Sequence, residues 1–150
     1  MRVRPYLLVG LVLLATACRG KTVATAELHG AGSADVRFQS TGGPLVLWAD
    51  TDGKWSGGSA KTARFPAHYE IDVLSKGAKL AHLSCDTQSS RTSVCGSKIS
   101  IGSTHDMDCE LKLACALPAI PAGDAALHVV GTPGPQVSEV KKMSINVRED

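Results

Sequence analysis

Two short stretches of this 150-residue chain crowd together side chains that can do chemistry. Trp48 and Trp55 bracket Asp50-Thr51-Asp52-Gly53, and His105-Asp106-Met107-Asp108 sets an imidazole and a thioether among carboxylates. The first stretch opens like a calcium loop. Calcium needs about six to eight oxygen ligands, however, and Lys54 and Trp55 follow where further acids should stand. A hairpin turn, with Asp and Gly in their usual roles, is the plainer reading. Flat indole faces beside such a turn could stack on sugar rings. That makes Trp48, Trp55, Asp50 and Asp52 candidate ligand contacts, against the alternative that both tryptophans pack in a core. His105 and Met107 carry donor atoms that suit copper; the alternative there is a polar hairpin loop.

The remaining polar residues give little case for catalysis. His29, His68, His82, His105 and His128 are scattered, and the chain has no G-x-S-x-G elbow, H-E-x-x-H helix or phosphate-binding loop. Glu70 and Asp72 share the outer face of one expected strand, which reads as ordinary solvation. No enzymatic activity and no cofactor is expected. A hydrolase would need a cleft with clustered acids or a Ser–His pair.

Five cysteines impose a parity argument. Cys85, Cys95, Cys109 and Cys115 form an even set suited to two disulfides, and Cys18 is left over. An odd cysteine in an exported chain needs an explanation. Zinc is not indicated, because no C-x-x-C spacing occurs. Cys18 ends a segment with the three parts of an export signal. Arg2 and Arg4 come first, then the apolar run from Tyr6 to Leu14, then the small residues Ala15-Thr16-Ala17. The apolar run is shorter than the roughly 20 residues a membrane-spanning helix needs.

Leu14-Ala15-Thr16-Ala17-Cys18 resembles the lipobox of bacterial lipoproteins, a likeness confined to the start of the chain. The resemblance implies removal of residues 1–17, lipidation of Cys18 on sulfur and an acylated amino terminus, with palmitate among the fatty acids carried. It implies a lipid-anchored protein of the bacterial cell envelope. Arg19 stands where an aspartate commonly marks retention in the inner membrane, which favours the outer membrane where the cell has one. Ala15-Thr16-Ala17 is also an ordinary A-x-A cleavage site. Processing there would leave a secreted or periplasmic protein.

The chain has 16 basic and 14 acidic residues, and Arg2 and Arg4 account for the whole excess. A chain starting at Cys18 is formally neutral. It offers no electrostatic case for nucleic acid or an anionic membrane. The expected partners are the membrane, through the lipid, and an envelope protein or glycan.

Short alternating segments punctuated by Gly, Pro, Ser and Asp must position these residues. Residues 18–33 read as a tether, with room for a first strand over Val23 to His29. Residues 34–150 read as one domain. Strands are expected over Ala34 to Ser40, Leu45 to Trp48, Tyr69 to Val73, Lys79 to Cys85, Lys98 to Ile101, Asp108 to Leu117, Ala125 to Val130 and Lys142 to Arg148. Ser75-Lys76-Gly77 is a hairpin turn, and Pro118, Pro121 and Gly123 mark a corner where the chain changes sheets. The fold expected is all-β: an antiparallel β-sandwich, immunoglobulin-like or jelly-roll-like, with two disulfides.

Along a regular strand Cys109 and Cys115 would lie roughly 20 Å apart. A disulfide needs Cα atoms within about 7 Å, so these two should not bond each other. Two cross-connected pairings remain, and a hairpin through Gly102-Ser103-Thr104 favours Cys95 with Cys115 and Cys85 with Cys109 over Cys85 with Cys115 and Cys95 with Cys109. Local closure of Cys85 with Cys95 stays open if the strand is irregular.

Overall fold

Period-two alternation runs through almost every segment, and nine strands result among the described residues. They are β1 (Thr22–Leu28), β2 (Gly32–Ser40), β3 (Leu45–Ser56), β4 (Ala67–Ser75), β5 (Ala78–Asp86), β6 (Thr92–Ile101), β7 (Thr104–Lys112), β8 (Gly123–Pro133) and β9 (Val137–Glu149). A computed structural model describes residues 20–59, 63–90 and 92–150. The signal (residues 1–17), Cys18 and Arg19 lie outside the described residues. Among the described residues the only helical element is a 3-10 turn, Thr87–Ser89.

The strands form two antiparallel sheets that pack as a sandwich. One has the order β1-β9-β3-β7-β6, the other β2-β8-β4-β5. Set β6 aside and number the other eight in chain order: the sheets then read 1-8-3-6 and 2-7-4-5. That is the jelly-roll order, not the immunoglobulin one. The first strand, expected from Val23, is β1, and it pairs with β9 as an edge of the five-stranded sheet.

Inward positions of both sheets fill the core. Leu47 and Ala49 of β3, Tyr69, Ile71 and Val73 of β4, Leu127 and Val129 of β8, and Met143, Ile145 and Val147 of β9 are all buried. Each large aliphatic side chain buried this way contributes ~1.5–3 kcal/mol. After β7 the chain leaves the five-stranded sheet, turns through Pro118 and Pro121, and enters the other sheet as β8. Ile120 seals this corner, and its carbonyl accepts from the buried Ser40 hydroxyl at 3.0 Å.

The structure overturns three local expectations. Asp50-Thr51-Asp52-Gly53 is not a turn: β3 runs straight through it, paired with β7 on one side and β9 on the other. Gly53 is there for space. A Cβ at this position would stand 2.2 Å from the Glu139 carbonyl oxygen and 2.7 Å from the Phe65 ring. His105 and Met107, expected in a loop, are core-facing residues of β7.

The disulfides are Cys85–Cys115 and Cys95–Cys109, so both expected partnerships are exchanged. The β6–β7 register explains one of them. Ile101 pairs with Thr104 across Gly102-Ser103, and continuing that register would set Cys95 opposite Glu110. A bulge between Ser97 and Ile99 slips the ladder by one residue and sets Cys95 opposite Cys109, with Cα atoms 4.1 Å apart. The other follows from where β7 ends. Its last residue is Lys112, so Cys115 is not on the strand at all. It reaches Cys85 on β5 at 5.4 Å and ties the segment after β7 to the opposite sheet.

Candidate functional site

Trp48 and Trp55 are seven positions apart on one strand, and an odd spacing sends them to opposite faces. Trp55 points into the core. Its ring meets Phe65 edge-on at 5.4 Å and lies 5.6 Å from the His105 ring. Trp48 points outward but is only 5 % exposed. The Arg148 guanidinium lies 4.9 Å from its ring centroid. The two indoles therefore form no common platform for a sugar.

Asp50 and Asp52 also face outward from β3, and each meets a lysine. Lys142 Nζ is 2.5 Å from Asp50 Oδ2, and Lys98 Nζ is 2.6 Å from Asp52 Oδ2. Asp106 on β7 holds Lys141 in the same way at 2.8 Å, which keeps its carboxyl below the usual range. These carboxylates stitch strands together and do not converge on a cation.

His105 is fully buried. Its Nε2 lies 3.0 Å from the Gly57 carbonyl, which can only accept, so Nε2 donates. Nδ1 then accepts from the Ser100 hydroxyl at 2.8 Å. Both ring nitrogens are engaged, and neither offers a lone pair to copper. Among the described residues no group of three or more His, Cys, Asp or Glu side chains could hold a metal ion.

A different face gathers the polar groups that looked scattered. Across the outer side of the four-stranded sheet, Asp35, His128, Asp72 and His82 stand in register on β2, β8, β4 and β5. Ser33, Val130, Glu70 and Ser84 form the next row. His82 is clamped by two carboxylates: Nδ1 lies 2.6 Å from Asp72 Oδ1, and Nε2 2.7 Å from Glu70 Oε2. The hydrogen bond to Asp72, with that to Glu70, raises the His82 pKa above 6.5 against partial desolvation. The Lys79 and His82 hydrogen bonds hold the Asp72 carboxyl below its usual value, and those from His68, Ser84 and His82 do the same for Glu70. His128 donates to Asp35 at 2.7 Å on the far side of the row.

Ser84, His68 and Glu70 invite comparison with a catalytic triad, but the connections are wrong. Ser84 Oγ lies 3.2 Å from His68 Nε2, and Glu70 Oε1 lies 2.6 Å from the same nitrogen. A relay needs the nucleophile on one ring nitrogen and the orienting acid on the other. Here the acid occupies the nitrogen that the serine would need.

Beyond this row the sheet face sinks. The depression has a volume of about 790 Å³ and is lined by Arg37, Gln39, Leu74, Lys76, Asp124 and Ala126, among others. Its floor has a simple cause: Ala126 on β8 is flanked in register by Arg37 on β2 and Leu74 on β4, so a methyl group sits between two long side chains.

Strand alternation could have shown that Glu70 and Asp72 share a face with His68. The cross-strand register that adds His82, Ser84, His128 and Arg37 leaves no local mark in the sequence. The fold and this face define an antiparallel β-sandwich of jelly-roll strand order with one polar, indented sheet surface. Compared with known proteins, the chain matches no protein-family model and no curated protein.

Proposed function

We propose that this is a lipid-anchored protein of the bacterial cell envelope, held through Cys18, whose domain has a non-enzymatic binding role at the outer face of the four-stranded sheet. One observation carries the reading. All four cysteines of the domain are consumed in two disulfides, which suit an oxidising compartment and leave Cys18 as the odd thiol. Lipidation explains that thiol better than simple secretion does. The lipobox-like residues Leu14 to Cys18 and the arginines ahead of them agree with it. Triple acylation at one cysteine gives far stronger anchoring than a single chain, at ~0.8 kcal/mol per buried CH₂.

Labelled palmitate should enter the wild-type chain expressed in a bacterium and should not enter Cys18→Ser. Equal labelling of the two, or none in the wild type, would refute the anchor. Globomycin, which blocks lipoprotein signal processing, should make the longer precursor accumulate.

A further inference from the structure

We infer that the depression on the four-stranded sheet binds a small organic oxyanion, a molecule of about monosaccharide size bearing a carboxylate or phosphate group. Three features point there together. The first is size and lining. About 790 Å³ falls within the roughly 300–1,000 Å³ of small-molecule sites. Leu74 and Ala126 give it an apolar floor, and Gln39, Asp124, Arg37 and Lys76 give it polar groups that can fix an orientation.

The second feature is charge. Among the described residues neither Arg37 nor Lys76 has an acidic side-chain partner, and both are exposed. The acids nearby are already engaged. Gln39 donates its amide to Asp124, His128 donates to Asp35, and Lys79 and His82 hold Asp72. The cavity therefore presents two free cations against one hydrogen-bonded carboxylate, which favours an anion.

The third feature is the backbone at Lys76. Ser75 pairs with Ala78, and the two residues between them have φ of 49° (Lys76) and 79° (Gly77). This turn wants positive φ at both central positions, where Asn, Asp and Gly fit with least strain. Lys76 is the only non-glycine residue with positive φ among the described residues. Its backbone N–H donates to the Asp124 carbonyl at 2.9 Å, and its Cε lies over Gly123, 3.4 Å from where a Cβ would stand. A long cationic side chain thus occupies a position whose backbone disfavours it, at the rim of the cavity. Strain of this kind is a pointer to function when it is observed first. The oxyanion would sit between the Arg37 guanidinium and the Lys76 ammonium, with its body against Leu74 and Ala126.

This inference rests on the binding role proposed above but not on the anchor, so a failed palmitate experiment would leave it standing. The test is an NMR titration of the domain with sodium glucuronate, glucose 6-phosphate and neutral glucose, each to about 10 mM, the range of weak binding. Saturable shifts at Arg37, Lys76 and Ala126 with either acidic probe, and none with glucose, support the site. The tighter probe names the preferred group. Arg37→Gln and Lys76→Gln should each weaken binding about tenfold, as the loss of one charged hydrogen bond does. Lys76→Asn should weaken binding to the same extent while raising the unfolding midpoint, because it relieves the turn. No saturable shift with either acid, shifts with glucose as large as with the acids, or unchanged affinity in Arg37→Gln would overturn the inference.

Discussion

Removing the disulfides in pairs tests the connectivity and its energetic weight together. Cys85 and Cys115 are separated by 30 residues in sequence, Cys95 and Cys109 by 14. The chain-entropy relation then assigns about 3.6 kcal/mol to the first bridge and about 3.0 kcal/mol to the second at 25 °C. Cys85 and Cys109 are both buried, so replacing a sulfur by hydrogen opens a comparable void in either variant and leaves the difference nearly intact. The variants Cys85→Ala/Cys115→Ala and Cys95→Ala/Cys109→Ala should each fold and titrate without free thiols. Each should lose roughly 3–4 kcal/mol in urea unfolding followed by tryptophan fluorescence. The crossed variant Cys85→Ala/Cys109→Ala strands Cys95 and Cys115. It loses both bridges, about 6–7 kcal/mol, against a usual total stability of about 5–15 kcal/mol. It should be unfolded or nearly so, with two reactive thiols. A crossed variant as stable as the paired ones, or paired variants that expose thiols, would refute the connectivity and the β6–β7 register behind it.

Three further outcomes are expected. Gly53→Ala should cost about 1–3 kcal/mol by overpacking, since the new methyl meets the Glu139 carbonyl and the Phe65 ring; a neutral effect in thermal unfolding would contradict that close approach. The ring protons of His82 should titrate with a midpoint above 6.5, and Asp72→Asn should lower it; a wild-type midpoint at or below 6.5 contradicts the double clamp. A raised His82 pKa supports the fold fully below 6.5 and fades as pH rises through the raised value. The lowered Glu70 and Asp72 values support it above 4.5 and 3.8 and fade as pH falls through them, so this network is strongest between about pH 4.5 and 6.5. Acrylamide should quench tryptophan fluorescence poorly in the native state and fully in urea; strong native quenching would mean that Trp48 is not covered by Arg148.

The sandwich itself was legible because alternation is a local signal. Tyr69, Ile71 and Val73 alternate along one expected strand and are buried; Met143, Ile145 and Val147 alternate along another and are buried too. What misled was composition. Asp-Thr-Asp-Gly has the residues of a turn, yet in β3 the aspartates are outward positions answered by lysines from β9 and β6, and the glycine makes room for a ring. The lysines are more than 40 residues away along the chain, where no local window of sequence can see them. The disulfide pairing failed for a similar reason. A one-residue bulge after Ser97 and the early end of β7 decide it, and neither has a signature as plain as Gly-Ser at the hairpin. The candidate site was the least visible part. Its rows alternate among β2, β8, β4 and β5, which are sequence-distant strands made neighbours by the jelly-roll order.

The two outer faces of the sandwich solve the same problem differently. On the five-stranded sheet, long cations cross from strand to strand. Lys142 and Lys141 reach from β9 to β3 and β7, Lys98 from β6 to β3, and Arg148 lies on Trp48. On the four-stranded sheet the pairs stop short of such stitching. Asp35–His128 joins β2 to β8, and the His82, Glu70, Asp72 and Lys79 network joins β4 to β5. Among the described residues no side-chain hydrogen bond or ion pair crosses the outer seam between β8 and β4. The depression opens at the end of that seam, with Arg37 beyond one side and Lys76 beyond the other. An oxyanion held by both would supply the cross-strand charge contact that this face lacks. Binding should therefore slow amide exchange in β8 and β4 more than in β3 and β7, and uniform protection across both sheets would count against a ligand seated on this seam.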